Sequence, residues 1–174
     1  MKVIMIVLSV CVAASLACAG DIPVQLDGKT VTVKAVPLNR QITAADKNTG
    51  AQDTALACSF LYYGLLYKGD IQAAATLSTT PKATADKWAQ YQDRMGVKEF
   101  NKAMSDYYTS KNVIVAELMM GDAVMLVVKT PYYTAGQVYV RQGDKWFVTE
   151  NLKTDAGQAF GKILSMIQDD KIKF

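Results

Sequence analysis

The chain has 174 residues, with 19 Lys and Arg against 16 Asp and Glu and no histidine. At 51% hydrophobic and 20% charged it can bury a core, which excludes global disorder, and its length suits one domain. The missing histidine excludes Ser-His and Cys-His nucleophile pairs and imidazole metal sites, and a formal charge of +3 without a basic stripe argues against nucleic acid.

The first element is a leader. Met1-Lys2 supplies a short positive start, Val3 to Ala14 is apolar apart from Ser9, and Ala17-Cys18-Ala19 places small residues where a signal peptidase reads. The spacing predicts a signal peptide over 1–19 and a mature chain from Gly20, periplasmic or secreted and bacterial in style. Ser15-Leu16-Ala17-Cys18 also resembles a lipobox, so a lipoprotein acylated at Cys18 is the alternative. No later stretch approaches the roughly 20 apolar residues of a spanning helix, so no transmembrane helix is expected. After cleavage Cys58 stands alone among Leu56, Ala57 and Phe60, which suits a buried free thiol better than a reactive one.

Residues 20–48 read as an N-terminal hairpin and loop. Val24 to Leu26 and Lys29 to Val36 flank Asp27-Gly28, a strong hairpin signal, and Pro37 to Gly50 has no period. Residues 49–174 read as a single α+β domain. Thr49 to Gln52 has capping-box spacing ahead of an apolar helix running to Tyr67, with Leu56, Phe60, Leu61 and Leu65 expected in the core. Gly69-Asp70 breaks that helix and caps a short one over Ile71 to Leu77. Thr80-Pro81 opens a third carrying Trp88 and Tyr91, and after Gly96 a fourth carries Phe100, Met104 and Tyr107. From Asn112 the period becomes two. Val113 to Met120 and Ala123 to Thr130 flank Gly121-Asp122, while Gln137 to Gln142 and Lys145 to Asn151 flank Gly143-Asp144. Thr154-Asp155 starts a last helix with Phe160, Ile163 and Ile167 as its apolar stripe. Segregated helices and an antiparallel meander predict an α+β fold, a curved antiparallel sheet with helices packed on one face.

The run from Phe60 to Ala74, with its Gly69-Asp70 break, and the closing hairpin from Val138 to Val148 resemble the nuclear-transport-factor-2-like superfamily, a cone-shaped fold also called cystatin-like. The resemblance covers about Gln52 to Asn151. It implies the cone fold, and it assigns no activity, because such proteins include isomerases, dehydratases, oligomerisation modules and exported proteins of diverse role.

Hairpin register places Arg141 opposite Trp146, Tyr139 opposite Val148 and Gln137 opposite Glu150 on one side of the sheet. It also places Glu117 on a side with Val113, Val115, Met119, Val124, Leu126 and Val128. A lone carboxylate there needs a partner such as Arg141 or a tyrosine, or else a pocket mouth. The candidate ligand-binding set is therefore Tyr62, Glu117, Tyr139, Arg141 and Trp146. Clusters of tyrosine at Tyr62/Tyr63/Tyr67, Tyr107/Tyr108 and Tyr132/Tyr133 suit either a core rim or a binding surface. No catalytic residue, metal ligand or cofactor is assigned. The expected function is an exported, non-enzymatic binding protein for a small apolar ligand or a protein partner. The alternatives are a small periplasmic isomerase or lyase using Glu117, and an envelope immunity or assembly factor; whether the chain forms a homodimer stays open.

Overall fold

The computed structural model describes residues 16, 17, 20–109 and 111–174. The signal peptide expected over residues 1–19 lies outside these residues except for Leu16–Ala17, a two-residue strand β1. In chain order there follow β2 (Gly20–Leu26), β3 (Lys29–Gln41), a 3-10 turn (Ala44–Asn48), α1 (Ala55–Tyr67), α2 (Ile71–Ala75), α3 (Pro81–Met95) and α4 (Val97–Tyr107). Then come β4 (Val113–Met120), β5 (Ala123–Lys129), β6 (Thr134–Gln142), β7 (Lys145–Thr149), α5 (Asp155–Gln168) and β8 (Ile172–Lys173), which pairs with β1.

The fold is α+β. Strands β2 to β7 form one six-stranded antiparallel sheet in sequence order, so the N-terminal hairpin extends the meander across the inserted helices. All three two-residue turns form where expected. Asp27 and Gly28 both take positive φ, the backbone of the tight turn that matches strand twist.

Strand β3 runs five residues past Val36, into the segment expected as loop. Its pairing with β4 is irregular between Pro37 and Arg40 and then resumes to Gln41↔Val113. Proline donates no ladder bond, and an irregularity is where a strand tolerates it. Helix α1 likewise starts later than its capping-box spacing suggested. Its N-cap is Thr54, whose Oγ1 accepts from Ala57 N at 3.0 Å. Gln52 instead serves the sheet, with its Nε2 donating to Trp146 O (3.0 Å) and its carbonyl accepting from Trp146 N (2.8 Å). The reciprocal cap sits upstream, where Asp46 accepts from Thr43 N (2.7 Å) and Oγ1 (3.0 Å). Asp70 caps α2 as expected, accepting from Ala73 N at 3.0 Å.

The sheet separates two apolar layers. On one face α1 brings Cys58 and Phe60 against Val124, Leu126 and Tyr139. Behind α1, the helices α2 to α4 close a further cluster around Leu66, Ala74 and Phe100. Of the four α1 residues expected in the core, Phe60 is fully buried; Leu56, Leu61 and Leu65 are half-buried, and Tyr62 and Leu66 occupy the interior instead. Gly64 lets the 3-10 turn approach, since a Cβ there would stand 2.7 Å from the Lys47 carbonyl oxygen. Helix α5 packs on the opposite face, where Ala159, Phe160 and Ile163 meet Val33, Leu118 and Met125. Every residue from Ala123 to Val128 is consequently buried, because β5 is covered on both sides.

Candidate functional site

The register places the sequence-derived candidates individually. Tyr139 pairs with Val148 and Arg141 with Trp146, as the hairpin arithmetic required. Glu117 lies on the α1 face, flanked by Val36 and Leu126, and shares it with Met119 and Val124. Val113 and Val115 do not share that face. A bulge between Ile114 and Ala116 reverses the alternation, and both valines join the α5 layer.

Glu117 and Arg141 do not meet. They stand two strands and four residues apart, about 10 Å across and about 13 Å along the sheet at ordinary strand spacings. The Arg141 side chain is exposed and its Nε donates to Gly143 O at 3.1 Å. Glu117 is half-buried, and burial pushes its carboxyl above the ordinary value of 4.5. Trp146 is half-buried against the α1 layer, its carbonyl accepting from Gln52 Nε2 and Cys58 Sγ. Glu150 ends beyond β7 and pairs with Lys87 rather than facing Gln137.

The tyrosine clusters do converge. A groove of about 730 Å³ opens between the helices and the β5–β6 turn, within the range of small-ligand sites. One wall is Tyr63 of α1, Trp88 of α3, and Met104 and Tyr107 of α4; the other is Pro131, Tyr132 and Tyr133. Val128, Ala135 and Gln137 form the floor on the sheet. Tyr63 and Tyr107 stack with centroids 4.1 Å apart and planes 18° from parallel, so each ring covers one face of the other. Tyr62 stands behind it, edge-on to Tyr63 at 5.3 Å, and its hydroxyl accepts from Trp88 Nε1, so it positions both rings.

At the base, Gln137 Oε1 accepts from Ser59 Oγ (3.1 Å), Tyr139 OH (3.1 Å) and, more weakly, Tyr107 OH (3.5 Å). Ser59 Oγ and Tyr107 OH are 2.9 Å apart. Desolvation pushes the Tyr62 and Tyr107 phenols up to about 12, and those of Tyr63 and Tyr139 well above their ordinary value. All four are therefore neutral hydrogen-bonding groups at physiological pH rather than proton acceptors in an acid–base step. Among the described residues no three His, Cys, Asp or Glu side chains stand together as metal ligands, and no helix is long and apolar enough to cross a membrane.

Two of the five candidates thus belong to the groove's supporting layer: Tyr62 behind the wall and Tyr139 beneath Gln137. Glu117, Arg141 and Trp146 are not among its lining residues. Gln137 and Trp88 were not among the candidates, and the Tyr132-Tyr133 cluster was noted as a surface without being placed in the candidate set. The signals were a single amide on an otherwise largely apolar sheet face, and two adjacent aromatic residues after a Thr-Pro step, where core packing has no use for them. No protein-family model, no curated protein and no solved structure matches this chain.

Proposed function

We propose that this chain is an exported, non-enzymatic binding protein, periplasmic or secreted, with the nuclear-transport-factor-2-like cone as its architecture and a small ligand seated in the aromatic groove. The observation that carries it is the stacked Tyr63–Tyr107 pair beside a neutral hydroxyl network centred on Gln137. Ligand sites are mostly apolar with a few convergent polar groups, and this groove combines the two. Its concave shape suits a small molecule with an extended apolar face better than the flat surface of a folded partner. Glu117, the carboxylate on which the isomerase or lyase alternative rested, lies outside the lining.

The test uses the two tryptophans. Trp88 lines the groove and Trp146 does not, so Trp146→Phe leaves one local reporter. N-phenyl-1-naphthylamine, a neutral apolar probe, should quench Trp88 emission saturably. Ala103→Phe, which fills the groove from α4 and adds no tryptophan, should weaken that binding tenfold or more with little change in melting temperature. A probe that fails to bind, or binds the filled variant equally well, overturns the proposal.

A further inference from the structure

The groove is not lined as a container for aliphatic chains would be. Met104 and Val128 are its only large aliphatic residues among those described, against five aromatic rings and several uncharged polar groups. Nor is it built for an anion or a cation. The charged side chains in the lining are Asp106 and Lys111, one of each sign, which gives no net field to select a charged ligand.

The aromatic rings are presented in an unusual way. Tyr132 is 92% exposed and Tyr133 63% exposed, on the rim of the groove that Tyr63 and Tyr107 also line. They are not on a loose loop. Thr130 Oγ1 accepts from both Tyr132 N (3.2 Å) and Tyr133 N (3.0 Å), and Thr130 N donates to Tyr133 O at 2.9 Å. Pro131 fixes one more backbone angle between them. Two large rings are thus held toward water on a pinned turn. Exposed apolar surface beside a cleft marks an interaction site, and a fixed turn removes most of the entropy cost of using it.

Polar groups in the groove remain unanswered. The Tyr63 hydroxyl and the Gln137 amide nitrogen have no hydrogen-bond partner among the described residues, and neither is sealed from solvent. A purely aromatic or aliphatic guest would cover them without satisfying them, at a cost of about 1–3 kcal/mol per buried group. The fitting guest is neutral, offers a flat face of C–H bonds to the rings, and carries around its edge groups that both donate and accept. Pyranose sugars have this construction: axial C–H bonds make an apolar face and equatorial hydroxyls make a polar rim.

Resting on the binding reading above, we infer that the groove takes a short neutral oligosaccharide, seated between the stacked Tyr63–Tyr107 pair and the Tyr132–Tyr133 turn, with Gln137 and the Tyr63 hydroxyl reading its hydroxyl rim. The test is a titration of the full chain carrying Trp146→Phe with cellotriose, maltotriose and tri-N-acetylchitotriose, read by Trp88 emission and calorimetry. At least one should bind saturably in the micromolar to millimolar range. Tyr132→Ala alters a ring that is almost wholly in solvent, so it should leave the melting temperature unchanged yet weaken the sugar tenfold or more. Failure of all three sugars to bind the Trp146→Phe protein, with N-phenyl-1-naphthylamine still bound, overturns the sugar inference and spares the groove; failure of sugars and probe alike overturns both. Sugar binding that Tyr132→Ala and Tyr133→Ala leave untouched also overturns it, because the sugar then sits elsewhere.

Discussion

Asp46 and Glu117 are both carboxylates drawn into the protein, and their surroundings treat them in opposite ways. Asp46 is buried and fully answered: Arg40 Nη2 donates to its Oδ1 at 2.7 Å, while Thr43 offers a backbone and a hydroxyl donor to Oδ2. The same Arg40 guanidinium lies 4.5 Å from the Phe60 ring centroid, so the cap of the 3-10 turn is tied to the core helix. Glu117 has no ion-pair partner among the described residues, and desolvation raises its pKa. The linkage sign follows. A carboxyl whose folded pKa exceeds its unfolded value favours the protonated fold, so its contribution is intact below the ordinary value of 4.5 and is lost as pH rises through the raised folded pKa. Glu117→Gln removes that loss. The variant should equal the parent at pH 4 and exceed it at pH 7 by up to about 1 kcal/mol, a half-exposed group being screened by water. Denaturant melts at the two pH values decide this; a variant less stable at pH 7 would mean that the carboxylate has a stabilising partner.

Helix α1 is the element on which both the core and the groove depend. Its buried side carries Phe60 toward the sheet, its neighbouring side carries Ser59 and Tyr63 toward the groove, and Leu66 reaches the helical layer behind. Phe60→Ala should cost about 3–5 kcal/mol in urea unfolding, as large core truncations do. A loss under about 1 kcal/mol, the scale of a surface change, would show that the helix is not packed there. Most helices and strands were legible from their apolar period, and the three hairpin turns because Asp-Gly and Gly-Asp suit tight turns between strands. Strand β3 beyond Pro37 was illegible because proline reads as a breaker unless the local irregularity in pairing is known. The Val115 bulge hid the true neighbours of Glu117, since one extra residue flips every side chain before it. The groove was half legible. Tyrosine clustering announced a surface, but which clusters meet depends on α4 crossing near the β5–β6 turn, a long-range fact that no local pattern carries.

At the scale of the molecule, strand β2 begins at Gly20, directly after the expected signal-peptidase site. Removal of residues 1–19 would therefore spare all six strands of the sheet and cost only β1 and its short pairing with β8. Intact-mass measurement of the exported protein should give a chain starting at Gly20; a diacylglyceryl mass on Cys18 would make it a lipoprotein, and retention of 1–19 would remove the case for export. The same sheet sets a further condition. From Ala123 to Val128 the chain is uncharged, rich in β-branched residues and free of proline and glycine, a composition suited to stacking against copies of itself. In the fold β5 has a strand on each side and a helix layer on each face, so none of that segment is available. Asp122 and Lys129 bracket it with charges, as gatekeepers do for unavoidable hydrophobic strands. The two-sided burial that anchors the groove's floor thus makes β5 a stretch prone to self-association whenever the chain is unfolded, and it makes completion of the sheet the step that covers it.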